Sequence, residues 1–264
     1  MLNIPDILKD GLGGTMAMTT QISLFYWLKT TTTFQYKNGL GTIEAFSKLY
    51  NSGGIKRFYS GFIPSLILGN ACKFGDVVFY KYLSRQENLS TIQKSYYASL
   101  LSTTWRINLL PLDTLDLMLQ SHGKKGFSIL KQKVKENNIM VLYNGGLASS
   151  LNNFVGYIGW FYTYSVLEKY RKDKNIDNTY YSIMEGISCA IVSDTITNPI
   201  KVLKTYKQTS PKNYSYLKSF NIIINQKGYM SLLFRGLQTR FIMNGLQNSI
   251  FVILWKEFDK IVDS

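Results

Sequence analysis

Four charged side chains stand far from the ends of the segments that carry them, and any chemistry in this chain starts with them. Lys73 and Asp76 are three residues apart and share a helical face, while Arg106 and Asp194 each lie five residues before a proline, Pro111 and Pro199. Charges of both signs so placed can hold a charged solute by ion pairing, but they make no hydrolytic or redox centre. The single histidine, His122, precedes a Gly-Lys-Lys-Gly stretch with no acid or thiol in register and reads as a loop residue. Cys72 and Cys189 have no metal-ligand spacing and read as small buried thiols. No enzyme activity is expected.

The elements that carry these charges repeat. The stretch PLDTLDLMLQ, residues 111–120, has a clear copy in PIKVLKTYKQ, 199–208, and an eroded one in YWLKTTTTFQ, 26–35. Each copy ends in a glutamine, Gln120, Gln208 or Gln35, and the copies are about 85 to 90 residues apart. Around each copy the order is the same: a long apolar segment, a short amphipathic one, an aromatic-x-Gly element and a second long segment. The long segments cover residues 7–33, 62–84, 96–120, 147–168, 181–208 and 237–258. The aromatic-x-Gly elements are Tyr59-Ser60-Gly61, Tyr143-Asn144-Gly145 and Phe234-Arg235-Gly236. The pattern predicts one all-α domain of three tandem repeats, approximately 1–88, 89–175 and 176–264. Pro111 and Pro199 should kink their helices, and Tyr26 leaves the first without that cause of bending. Small residues, Gly186 and Ala190 among them, are expected to permit close helix contact.

Where the charge sits decides between a soluble and a membrane bundle. Of the 264 residues 45% are hydrophobic and only 17% charged, yet the net charge is +14. Basic residues gather around the short segments, and mid-helix charges are few, whereas a soluble bundle spreads charge along every exposed face. The mean hydropathy of −0.05 suits helices that line a wet cavity. Six membrane spans are therefore predicted, with both termini on the side opposite the basic short helices. No basic run interleaved with aromatics calls for nucleic acid, and we expect a monomer.

These motifs make the chain similar to the mitochondrial carrier family over essentially its whole length. That family ends each odd helix in P-x-[DE]-x-x-[KR]-x-x-x-Q and follows it with a glycine and an aromatic-[KR]-G element. Matches here are Pro111, Asp113 and Gln120, then Pro199, Lys204 and Gln208, and in the first repeat only Gln35. The resemblance implies six helices and three short matrix helices around a central cavity in the mitochondrial inner membrane. It also implies solute exchange by alternating access, with cardiolipin phosphate bound beside the aromatic-x-Gly elements. The termini would face the cytoplasmic, intermembrane side.

The same resemblance places ion-pair gates at both ends of the cavity. On the matrix side Asp113 and Lys204 keep the family's acid-to-base order. Leu28 and Thr31 stand where the first repeat should have its pair, Asp116 replaces a base and Lys201 an acid. The expected plug is an Asp113–Lys204 pair with a second contact between Asp116 and Lys201, flanked by Gln35, Gln120 and Gln208. On the cytoplasmic side the aromatics Tyr80, Tyr164 and Trp255 survive, while the charges are inverted at Lys81, Glu168, Lys256 and Asp259. Lys81 is expected to meet Glu168.

The four mid-helix charges should face the cavity, because an unpaired charge in lipid is costly. At equal depth the resemblance adds Asn152, Asn153 and Tyr157, then Asn244, Gln247 and Asn248. Two bases, two acids and several amides suit a small polar metabolite, either a nucleotide-like anion or an amino-acid-like zwitterion. The rival reading is a degenerate carrier that moves nothing and acts as a membrane receptor or scaffold. A soluble helical protein is the third, and release by carbonate would mark it.

Overall fold

The computed structural model describes residues 4–86, 88–174 and 178–247, all of whose regular structure is helical. The order rod, short helix, rod recurs three times. In the first repeat α1 (Ile4–Asn38) is followed by α2 (Thr42–Asn51), α3 (Gly54–Phe58) and α4 (Phe62–Ser84). The second has α5 (Thr91–Asn108), α6 (Leu110–His122), α7 (Lys125–Asn137), a 3-10 turn at Ile139–Tyr143 and α8 (Gly146–Asp173). The third has α9 (Thr179–Thr209), α10 (Tyr216–Phe234) and α11, residues 237–247.

The three first rods differ in how they pass the position held by Tyr26, Pro111 and Pro199. Pro111 has no N–H to return to the preceding turn, and the second rod breaks at Leu109, whose N–H reaches back to Arg106 O, three residues before it. α9 runs on through Pro199 as one helix. α1 also continues, through a run of four threonines that alone would favour strand. Tertiary bonds hold the run helical: Thr30 donates to Phe58 O at 2.6 Å and Thr33 to Gln120 Oε1 at 2.5 Å. Thr31 and Thr32 instead donate back to the carbonyls of Trp27 and Leu28.

Each short-helix segment turns at a residue with positive φ, Gly54 at 60°, Asn138 at 76° and Gly228 at 72°. Asn138 does in the second repeat what glycine does in the others, since asparagine tolerates the left-handed region better than most residues. At Gly228 the turn splits α10 in two.

One basic side chain of each repeat then closes the next repeat's first rod. Arg57 Nη2 donates to Gln120 O and Ser121 O, at 2.8 and 3.0 Å. Lys133 Nζ donates to Lys207 O, Gln208 O and Ser210 O. Arg235 Nη1 donates to Tyr36 O at 3.1 Å. Carbonyls at a helix C-terminus lack partners and carry partial negative charge, so a cation there satisfies both needs. As a result α1, α6 and α9 touch one another pairwise at the short-helix end.

Close helix approach does not fall at Gly186 and is found at three other glycines. Gly186 looks onto open space, while a Cβ on Gly69 would strike Ile22 and Met18, one on Gly75 would strike Trp105 and one on Gly159 would strike Ile196. Helix sequences alone do not say which small residue faces a neighbour. Among the described residues one helical stretch, Gly54–Phe79, reaches a mean hydropathy of 1.3. Apolar side chains nonetheless stand exposed around the outside, including Ile67, Leu100, Phe154, Phe161 and Leu246.

Candidate functional site: a polar cavity closed at one end

All three repeats contribute to one central cavity of about 470 Å³. Arg106, Asn152, Asn153, Asn244 and Gln247 line it, together with Lys29, Lys201, Lys204, Asp113 and Arg240. Beside it, between α8 and α9, lies a second cavity of about 440 Å³ that contains Tyr157, Trp160 and Asp194 and shares Asn152, Asn153, Lys201 and Arg240 with the first. Cys72 lines the central cavity and Cys189 is buried.

Asp194 gathers three donors. Its Oδ1 accepts from Lys201 Nζ and from Arg240 Nε, both at 2.7 Å, and its Oδ2 from Asn244 Nδ2. Two cations on one carboxylate leave a local excess of positive charge at the junction of the two cavities. On the opposite wall Arg106 Nη2 donates to Asp76 Oδ2 at 2.6 Å, which brings Asp76 to the site indirectly. Lys73 sits on α4 away from the cavity lining. Gln21, the symmetry equivalent of Arg106 and Asp194, donates to Gln247 O at 2.8 Å.

At the closed end two ion pairs cross between repeats. Lys204 Nζ lies 2.8 Å from Asp113 Oδ2, the regular pair. The contact expected between Asp116 and Lys201 does not form. Asp116, 1% exposed, takes Lys29 of α1 at 2.8 Å, and Lys201 turns into the cavity to Asp194. The reason is proximity: Lys29 stands one residue past the eroded acid position, facing α6, whereas Lys201 has Asp194 two turns back on its own helix. Tyr26, in place of the proline, donates its hydroxyl to Asp116 Oδ1 at 2.8 Å. The third interface, between α9 and α1, carries no ion pair among the described residues; there Tyr36 donates to Asn198 Oδ1 at 3.0 Å.

The glutamines follow the ion pairs. Gln120 donates to Asp116 Oδ1 and accepts from Thr33, tying α6 to α1. Gln208 donates to Asp113 Oδ2 at 3.3 Å and to Thr114 Oγ1 at 2.8 Å, tying α9 to α6. Gln35 faces the interface without a pair and bonds its own loop, at Leu40 O and Thr42 Oγ1.

Lys29 and Arg240 are the residues that motif reasoning missed. Lys29 falls outside the family register, and Arg240 stands one helical turn before Asn244, a spacing that could have flagged it. His122 is no loop residue: it closes α6 and contacts both Lys37 and Thr209 O.

At the other end Tyr164 stacks on Trp160 with centroids 5.4 Å apart, and Glu168 pairs with Lys172 of its own helix at 3.0 Å. Asn248, Trp255, Lys256 and Asp259 lie outside the described residues, and so do the side chains of Tyr80 and Lys81. A further hollow, of about 280 Å³, lies where the start of α2 (Gly41, Thr42) meets the start of α11 (Gly236, Gln238), beside Gln35 and Arg235.

A family model described as mitochondrial carrier protein matches residues 8–89 and 177–263, the first and third repeats. The human protein "Solute carrier family 25 member 44" is 22% identical over 281 residues, 94% of this chain and 89% of its own length. "Mitochondrial substrate carrier family protein J" of Dictyostelium discoideum is 24% identical over 279 residues, 84% of this chain and 78% of its own. "Thylakoid ADP,ATP carrier protein, chloroplastic" of Arabidopsis thaliana is 26% identical over 223 residues, covering 80% of this chain and 52% of its own.

Proposed function

The chain belongs to the mitochondrial carrier family, and from that premise we propose that it exchanges a small polar metabolite across the mitochondrial inner membrane by alternating access. One observation carries the reading: a polar cavity built by all three repeats and closed at one end by two inter-repeat ion pairs, Lys29–Asp116 and Asp113–Lys204. Both are broken when the end opens, and neither is so deeply buried on both sides that its loss would lock the protein shut. A solute that binds the cavity better in the transition than in either closed form lowers the barrier between them. The excess positive charge at Asp194, Lys201 and Arg240 suits the acidic group of a nucleotide-like anion or an amino-acid-like zwitterion, and Tyr157 and Trp160 offer ring faces beside it.

The six rods cross the membrane in this reading, with the short helices on the matrix side, both termini opposite and the protein a monomer. Exposed apolar side chains around the rods support it. The hollow between α2 and α11 presents free N–H groups at two helix starts and suits a cardiolipin phosphate.

The missing third ion pair favours a second reading, a membrane receptor or scaffold that moves no solute. Uptake into proteoliposomes preloaded with nucleotides, amino acids or carboxylates separates the two. Counter-exchange with any member of the panel supports transport, and none with any member supports the receptor.

A further inference from the structure

His122 follows Gln120 by two residues and Lys37 follows Gln35 by the same two, and both stand in the last turn of their rods. Lys37 Nζ lies 2.7 Å from Nε2 and 3.1 Å from Nδ1 of the imidazole. The carbonyl oxygen of Thr209, at the end of α9, is 2.8 Å from Nε2. One ring seated in the second repeat thus touches the first and the third. In the neutral imidazole Nε2–H donates to Thr209 O, and Nδ1, at 3.1 Å, is the one ring atom left to accept from the Lys37 ammonium, whose shorter approach to Nε2 is a contact between donors. A second proton turns Nδ1 into a donor that faces only an ammonium. The Lys37 bond is then lost and two cations stand in contact. The other charges acting on the ring are Arg57 from α3 and Lys133 from α7, both basic.

We propose that His122 is a proton-sensitive latch that joins the three repeats at the short-helix end and loosens that end when it is protonated. The latch is separate from the cavity and from the two ion pairs, so it stands whether or not the protein moves a solute.

The sign follows from the surroundings. Burial first, and then Lys37, Arg57 and Lys133, push the imidazole's pKa below its ordinary value, partly offset by the Thr209 carbonyl. A base with a pKa lowered by closure is neutral when closed and gains a proton on opening. The latch is therefore fully present above the ordinary histidine value of about 6.5 and is lost as pH falls below it toward the lowered value. Lys37, lowered to about 8 by burial and by Arg57, acts with the same sign at higher pH, so the two windows are separable.

Hydrogen exchange of the protein in lipid nanodiscs tests the latch, read on the amides of residues 120–124 and 207–210 after correction for the intrinsic effect of pH. In the unaltered protein, protection should fall below pH about 6.5 by up to about ten-fold per pH unit, the limit for one proton. His122→Gln, which keeps a donor and an acceptor but does not titrate, should flatten the curve in that window. Lys37→Gln should move the midpoint upward. If His122→Gln follows the unaltered curve, or if Lys37→Gln leaves the midpoint in place, the latch is refuted. If His122→Gln does not fold, the Lys37→Gln midpoint alone decides.

Discussion

Lys29 and Asp116 meet at 2.8 Å across the boundary between the first two repeats, and their order is the reverse of the next pair. There the earlier repeat supplies the base, whereas at the following boundary the earlier repeat supplies Asp113 and the later one Lys204. Coulomb attraction is indifferent to which side carries which sign. Among the described residues the chain has thus kept two of three inter-repeat ion pairs while discarding the motif that encodes one of them. Asp116 also takes Tyr26 and Gln120, so Asp116→Ala should leave three donors facing a hole, whereas Asp116→Asn keeps the shape and removes the charge. We expect Asp116→Ala to destabilise the protein by about 3 kcal/mol, toward the cost of breaking a buried pair, and Lys29→Met by about 1 kcal/mol, because Lys29 is partly solvated. Thermal unfolding in detergent measures both, and equal effects would contradict the assignment.

The glutamines offer an internal control. Gln208 braces Asp113 and Thr114 of the neighbouring repeat, and Gln35 bonds only its own loop. Gln208→Ala should cost about 1 kcal/mol of stability and loosen the boundary between α6 and α9, as the loss of a buried hydrogen bond requires. Gln35→Ala should leave exchange protection at that boundary unchanged. Amide exchange across residues 110–120 and 200–208 distinguishes them.

Lys133 closes α9 with three carbonyl contacts although it is 1% exposed. Lys133→Met should free those carbonyls and lower stability by about 2 kcal/mol. Burial, with Lys207 nearby, brings the Lys133 pKa down to about 8. The folded chain therefore sheds this proton earlier than the unfolded one, and its contribution to stability rises with pH from about 8 to the ordinary lysine value of about 10.4. Melting curves across that window should show a positive slope that Lys133→Met reduces, the remainder including the share of Lys37.

Arg240 and Lys201 share Asp194, and their loss should differ from a change in the wall opposite. Arg240→Ala leaves Asp194 with Lys201 and Asn244, so folding should survive while exchange falls roughly ten-fold or more, the cost of one charge-assisted contact. Circular dichroism together with exchange rates checks the two halves of this prediction.

Much of the fold was readable because repeats multiply weak signals. Three glutamines at fixed spacing, two prolines and three aromatic-x-Gly elements point to one architecture, and the pairing of Asp113 with Lys204 comes with the family resemblance those elements carry. Contacts between rods were not readable in the same way. A lysine stem reaches several ångströms, so Lys29 can replace an acid position beside it, and Lys201 can abandon the gate for Asp194. Arg240 hid in a stretch that looked like the basic margin of a short helix. His122 was misread because its partners, Lys37 and Thr209, lie 85 and 87 residues away in the chain.

The most direct test of the account is the charge reversal of its regular ion pair. Asp113→Lys and Lys204→Asp should each reduce counter-exchange in proteoliposomes by roughly 10- to 100-fold, between the limits for exposed and buried pairs. The double variant should recover a substantial part of the loss, because the same two side chains can attract with their signs exchanged. If both single variants lose exchange and the double variant recovers none, these residues do not close the cavity as a pair.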